Sequence, residues 1–171
     1  PMWVDITGDD APITTYWSVE EVPALGIARF GTYGRGIWDY AFEPGCAYEP
    51  YGTGLGGTNT LLLDTTSSAQ VAAPATYHVT GGQPNTTGYL IVGLAPAAGP
   101  VYGGTILVDP ANWVLFGVGA DALGEVHKLL NVPNDPLLYD LTIHMQAALR
   151  DATLPDGWSF SNGLSGTLCP P

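Results

Sequence analysis

Charge is scarce in this chain, and positive charge is scarcest. Of 171 residues, four are Lys or Arg and 16 are Asp or Glu, so charged residues make up 12%. That is about half the usual quarter for a soluble protein. The formal net charge of −12 sets the surface against a nucleic-acid backbone or an anionic membrane. No apolar run approaches the roughly 20 residues of a membrane span. Cysteine is limited to Cys46 and Cys169, which lie far apart, so the chain holds no CxxC zinc or redox motif. There is no GxxxxGK[ST] phosphate loop, no GxSxG nucleophile elbow and no DxDxDG calcium loop. The opening Pro1-Met2-Trp3 is not a basic stretch followed by an apolar one. It reads as a mature form from which an upstream segment has been removed.

Glycine and proline are abundant instead, at 23 and 15 residues, against a hydrophobic content of 46%. Turn-formers spread through an apolar chain disfavour a helical bundle and suit short strands joined by tight turns. Strand-like runs fall at Leu61–Asp64, Thr76–Thr80, Gly88–Leu94, Thr105–Val108, Trp113–Val118, Val126–Val132, Leu141–Arg150 and Trp158–Leu168. Turns separate them at Gly81-Gly82, Pro96–Pro100, Asp109-Pro110 and Pro155-Asp156-Gly157. The clearest run is 141–150. Leu141, Ile143, Met145, Ala147 and Leu149 alternate with Thr142, His144, Gln146, Ala148 and Arg150, which predicts one buried and one largely polar face. Just before it, Asp135 is placed to cap and Pro136 to open one short helical turn. The expected fold is therefore an all-β antiparallel sandwich, Ig-like or jelly-roll-like, with at most one short helical turn.

Residues 1–44 differ from the rest. They hold Trp3, Trp17, Trp38, Tyr16, Tyr33, Tyr40, Phe30 and Phe42, in runs at Met2–Ile6, Ile13–Trp17, Leu25–Phe30 and Ile37–Phe42. The turn-rich stretch 43–58 is the expected seam between this strand-rich extension (1–44) and the sandwich module (45–171). Within the seam, Gly52-Thr53-Gly54-Leu55-Gly56-Gly57 matches GxGxxG. A dinucleotide reading needs a strand before and a helix after. Prolines precede this one and the run Leu61–Leu63 follows, so it reads as a flexible joint.

Two readings of the cysteines stand: two unrelated thiols, or one disulfide tying the C-terminal strand to the loop that opens the module. The second is the expectation, and it places the protein in an oxidising, extracytoplasmic compartment. Asn85-Thr86-Thr87 is a glycosylation sequon in a host that glycosylates. His78, His127 and His144 each sit in a strand with no second ligand at metal spacing, and Ser159, Ser161 and Ser165 sit in an ordinary strand. The carboxylates are scattered, as in any acidic chain. Those at Asp9, Asp10 and Asp135, in turns, are the candidates for a calcium ion. Five tryptophans raise carbohydrate binding, although packing is the default use of a large aromatic.

Four landmarks occur in order: Gly103-Gly104-Thr105-Ile106-Leu107-Val108-Asp109-Pro110, then Pro133-Asn134-Asp135-Pro136, then Gln146-Ala147, then Ser161-Asn162-Gly163-Leu164. In this the stretch from about 51 to 168 resembles a module found near the C-termini of predicted secreted proteins of planctomycete-like and myxobacterial-like bacteria. Those proteins carry GGTLLVDP, a PNDP turn, a strand with QA and a closing SNGL strand, often after a GTG-rich opening like Tyr51–Gly57. The resemblance implies an exported, repeat-like, all-β domain, and it carries no catalytic residues across. The combined expectation is an exported, non-catalytic structural protein of the cell surface that associates with itself or a partner, residues 1–44 mediating the contact. A carbohydrate-binding or adhesive module is the alternative, and a secreted hydrolase a weaker one. No nucleic-acid partner, no membrane span and no cofactor beyond the calcium candidate are expected.

Overall fold

The structure, a computed structural model, describes residues 15–22, 27–34, 36–41, 46–55 and 60–171. The chain divides into two compact units, Pro1–Gly45 and Cys46–Pro171. The described residues form antiparallel strands in four sheets, with no α-helix.

The N-terminal unit is a three-stranded meander of β1 (Tyr16–Val22), β2 (Ile27–Thr32) and β3 (Gly36–Ala41). Its register sorts the side chains by face. Val19, Phe30 and Trp38 lie opposite one another in one row, and Glu20, Arg29 and Asp39 in the next. Adjacent rows point to opposite faces, so these two rows lie on opposite sides of the sheet, the charged one flanked on its own face by the row of Ser18, Gly31 and Ile37. Arg29 grips Asp39 with two bonds, 2.7 and 2.8 Å, across the charged face. That pair holds the Asp39 carboxyl below its ordinary range. The run expected at Met2–Ile6 lies outside the described residues.

The second unit is a β-sandwich. A five-stranded sheet has the order β10 (Trp113–Gly119), β7 (Thr87–Gly93), β12 (Thr142–Arg150), β13 (Trp158–Thr167), β4 (Tyr48–Tyr51). It faces a three-stranded sheet of β11 (Val126–Asn131), β6 (Pro74–Thr80) and β5 (Leu62–Thr65). Between them lies the main core, with Leu61, Leu63, Tyr77, Val79, Leu90, Val126, Met145, Ala147, Leu149 and Leu164 buried. The alternation in 141–150 places Met145, Ala147 and Leu149 there, with Ile143 half-buried at its margin. Leu141 departs from the expectation: it precedes β12 and is 37% exposed.

The other face of β12 is not polar surface. A hairpin of β8 (Pro96–Val101) and β9 (Gly104–Val108) packs over it and encloses a second core of Ile91, Val108, Ala148 and Phe160. Tyr102 and Gly103, both at positive φ, make the two-residue turn of this hairpin. Gln146 is fully buried beneath it. Its Oε1 accepts from Leu107 N at 2.9 Å, and its Nε2 donates to Thr105 O at 3.0 Å and Ser161 O at 2.9 Å. One amide thus ties the hairpin to the sheet. β8 and β4 are strands where the sequence predicts turns. Pro96 and Pro100 lie in a two-stranded ribbon and Pro50 in an outer strand, where a missing N–H costs the ladder nothing.

Pro136–Leu138 forms the expected short helical turn, of 3-10 type, with Asp135 as its cap. A second turn of the same kind, Pro110–Asn112 capped by Asp109, corrects the expectation of at most one. Both begin with Asp-Pro, because the carboxylate satisfies a free N–H and the proline ring presets the first φ.

Cys46 and Cys169 form a disulfide with Cα atoms 5.8 Å apart, joining the residues that lead into β4 and follow β13. The segment 69–71 runs beside it: Val71 N donates to Cys169 O and Cys169 N to Ala69 O, each at 2.9 Å. Ala69, Val71 and Leu168 form a third small core there.

Candidate binding surfaces

The landmark residues of the sequence are structural pieces. Gln146 anchors the hairpin, and Gly103 turns it. Asn162 bridges the two sheets: its Oδ1 accepts from Leu63 N at 2.9 Å and its Nδ2 donates to Leu63 O at 3.0 Å. Ser161 Oγ accepts from Ala147 N at 2.9 Å, where the β12–β13 register slips, and donates to Asn162 O. At Gly163 a side chain would strike the Tyr51 ring at 2.5 Å. That ring lies over the glycine, and its hydroxyl donates to Leu107 O at 2.7 Å. Burial pushes the Tyr51 hydroxyl up to about 12.

The other candidates resolve one by one. Ser159 Oγ donates to Leu55 O and Ser165 Oγ to Glu49 O, so both hydroxyls serve backbone carbonyls. Segment 52–55 is not a free joint. A Cβ at Gly54 would lie 1.9 Å from Phe160 O, so only glycine lets this stretch press against β13. Gly56 and Gly57 lie outside the described residues. His144 stands edge-on to Tyr51, and burial lowers its basicity. His78 and His127, far apart in sequence, are paired directly across β6 and β11 with ring centroids 4.5 Å apart. The sequence reading missed this pairing, because register is not visible in a single strand. Asp9 and Asp10 lie outside the described residues. Asp135 spends its carboxylate on Leu137 N at 2.9 Å. Asp109, Asp121 and Asp151 likewise accept from backbone N–H groups of their own turns, and Asp64 accepts from Thr65 N at the end of β5. Two such bonds, from the N–H groups of Glu125 and Leu123, lower the Asp121 carboxyl below its ordinary range. Among the described residues no group of three or more His, Cys, Asp or Glu converges as a metal set, and no helix is long and apolar enough to cross a membrane. An open groove of about 350 Å³ beside the disulfide is lined by Ala47, Tyr48, Thr65, Thr66, Ser67 and Ser68, with no acid or base on it.

Exposed apolar side chains occur on both units. On the N-terminal sheet, Val19 is 66% exposed in the row with Phe30 and Trp38. On the sandwich, the exposed rings of Tyr89 and Tyr102 both lie near the half-buried Trp158, which packs against the second core. Their ring centroids lie 6.2 and 6.3 Å from that of Trp158, with planes within 27° and 25° of its own. The Arg150 guanidinium lies 4.1 Å from the Trp158 ring centroid. The second unit is thus an all-β sandwich closed by one disulfide, with turn-capping carboxylates and a surface rich in aromatic and aliphatic side chains. Comparison of the chain with protein-family models, with curated proteins and with solved structures returned no match.

Proposed function

We propose that this is an exported structural protein of the cell surface that assembles with copies of itself, and that its N-terminal unit makes the contact. The observation that carries this reading is the exposed apolar surface of the β1–β3 sheet. Its charged row is internally paired through Arg29 and Asp39. Val19 on one face and Ile37 on the other are largely open to solvent. Exposed apolar surface on a small sheet recruits a partner. The disulfide supports an oxidising compartment, since such bonds persist outside the reducing cytosol. The net charge of −12 disfavours nucleic acid and anionic membrane as the partner. Deletion of residues 1–40 is the test. Sedimentation velocity of full-length and shortened protein shows assembly lost while the melting transition of the sandwich is retained. A full-length protein that stays monomeric at tens of micromolar overturns the proposal.

A second reading, carbohydrate binding, rests on the cluster of Tyr89, Trp158 and Tyr102. Two exposed rings near-parallel to Trp158, with a guanidinium over that ring, suit the C–H faces and hydroxyls of a neutral sugar chain. Affinity electrophoresis through neutral polysaccharides, with a Tyr89→Ala/Tyr102→Ala variant, separates the two. Retardation of wild type that the variant loses favours this reading; equal mobility of both rejects it.

A further inference from the structure

Four strands form the outer edges of the two sandwich sheets: β4 and β10 of one, β5 and β11 of the other. An outer strand presents unpaired N–H and C=O groups, and natural proteins blunt such edges with charge, proline, short length or side-chain cover. Three of the four are blunted here. β4 carries Glu49 and Pro50, both exposed. β5 is four residues long and carries Asp64, and the Asn162 amide takes both polar groups of Leu63. β11 carries Lys128, which stands opposite the buried Tyr77 and is therefore on the inward face. β10 differs. Over seven residues, Trp-Val-Leu-Phe-Gly-Val-Gly, it has no charge and no proline. The Lys128 ammonium reaches it from Phe116 onward, 6.0 Å from the Phe116 ring centroid and 3.4 Å from Gly117 O. Among the described residues no polar side chain caps Trp113–Leu115. Val114 and Leu115 point to opposite faces of the sheet and are 57% and 45% exposed.

We propose that the Trp113–Phe116 half of β10 pairs antiparallel with the same strand of a second copy, joining two five-stranded sheets into one. The occupant follows from charge. Self-pairing of β4 sets Glu49 near Glu49, of β5 Asp64 near Asp64, and of β11 Lys128 near Lys128. On a chain carrying −12, β10 is the outer strand that meets its own copy without apposing like charges. A two-fold contact of this kind is isologous, so the strand must be compatible with itself, and β10 is. Main-chain hydrogen bonds supply affinity, and Val114 and Leu115 bury their exposed area on the two faces. Leu115 and Tyr89 stand on the same face in neighbouring positions of the β10–β7 register, so the joined sheet carries the apolar surface across the seam. This inference rests on the self-association proposed above and assigns it a second surface, distinct from the N-terminal sheet.

The test is sedimentation velocity and native mass spectrometry of the full chain over a range of concentrations, with a Val114→Lys/Leu115→Lys variant. Both side chains are exposed, so the expected melting temperature is that of wild type. The expected association is about tenfold weaker or more, from like charges apposed across the seam. Mixing this variant with Val114→Glu/Leu115→Glu restores association. Wild-type and Lys variant associating equally overturns the β10 contact and leaves assembly through residues 1–44 standing. A monomeric wild type overturns both. Hydrogen exchange on the unaltered protein gives a check free of any folding defect: amides of 113–116 become protected as concentration rises. Protection that does not change with concentration, in a protein that does associate, rejects the contact.

Discussion

Replacing Gln146 by methionine tests the anchoring of the β8–β9 hairpin. Methionine keeps the length and lack of branching of glutamine, so no cavity opens and the change is close to one of polarity alone. Three hydrogen bonds are lost, to Leu107 N, Thr105 O and Ser161 O. A typical bond contributes about 1 kcal/mol net, so the floor of the effect is about 3 kcal/mol. Gln146 is fully buried, so water cannot replace the amide while the hairpin stays in place. Each orphaned group then adds desolvation, about 1–3 kcal/mol apiece. The hairpin relieves that cost by lifting off the sheet, exposing Val108 and Ile91, and so the net loss settles near the floor. Urea unfolding at neutral pH measures it, and hydrogen exchange locates it. The expected result is a loss of about 3 kcal/mol together with faster exchange at Thr105–Leu107. A loss below about 1 kcal/mol, with exchange in the hairpin unchanged, refutes the anchoring role.

Three further outcomes are expected. Reduction of Cys46–Cys169, or the double serine variant, lowers stability by roughly 2–5 kcal/mol, because the bond closes a loop of most of the module; intact-mass measurement after alkylation without reductant finds no accessible thiol. Gly163→Ala displaces the Tyr51 ring and its bond to Leu107 O, at a cost of about 1–3 kcal/mol in a thermal or urea melt; a neutral result means the ring has room to move. The third concerns pH. Burial holds His144 below its ordinary value of 6.5, so the unfolded chain takes up a proton at a pH where the folded one does not. Its contribution is complete above 6.5 and is lost as pH falls toward the depressed folded value. The urea midpoint of wild type therefore drops between pH 7.5 and 5.5 by more than that of His144→Gln, and equal drops dismiss the effect.

Local features of the chain were legible without coordinates. The period-2 pattern of Met145, Ala147 and Leu149 marks a core-facing strand because side chains alternate along any extended backbone. Asp135-Pro136 marks a capped turn because both effects act within three residues. What covers a strand's second face is another matter. His144, Gln146 and Ala148 looked like a solvent face; Gln146 and Ala148 became an interior when the β8–β9 hairpin packed over them, and His144 came to stand against Tyr51 of β4. The prolines that hid β4 and β8 are harmless at outer and ribbon positions, and whether a strand lies at an edge is a property of the sheet, not of the segment. Register between distant strands likewise placed His78 against His127, sent Asn162 to Leu63, and left β10 as the unguarded edge. The sequence by itself determined where the chain extends, turns and caps, since those depend on neighbouring residues. Only the tertiary structure decided which strands became edges, which polar groups became anchors and which apolar side chains stayed outside, because those depend on partners far along the chain whose pairing no local interaction specifies.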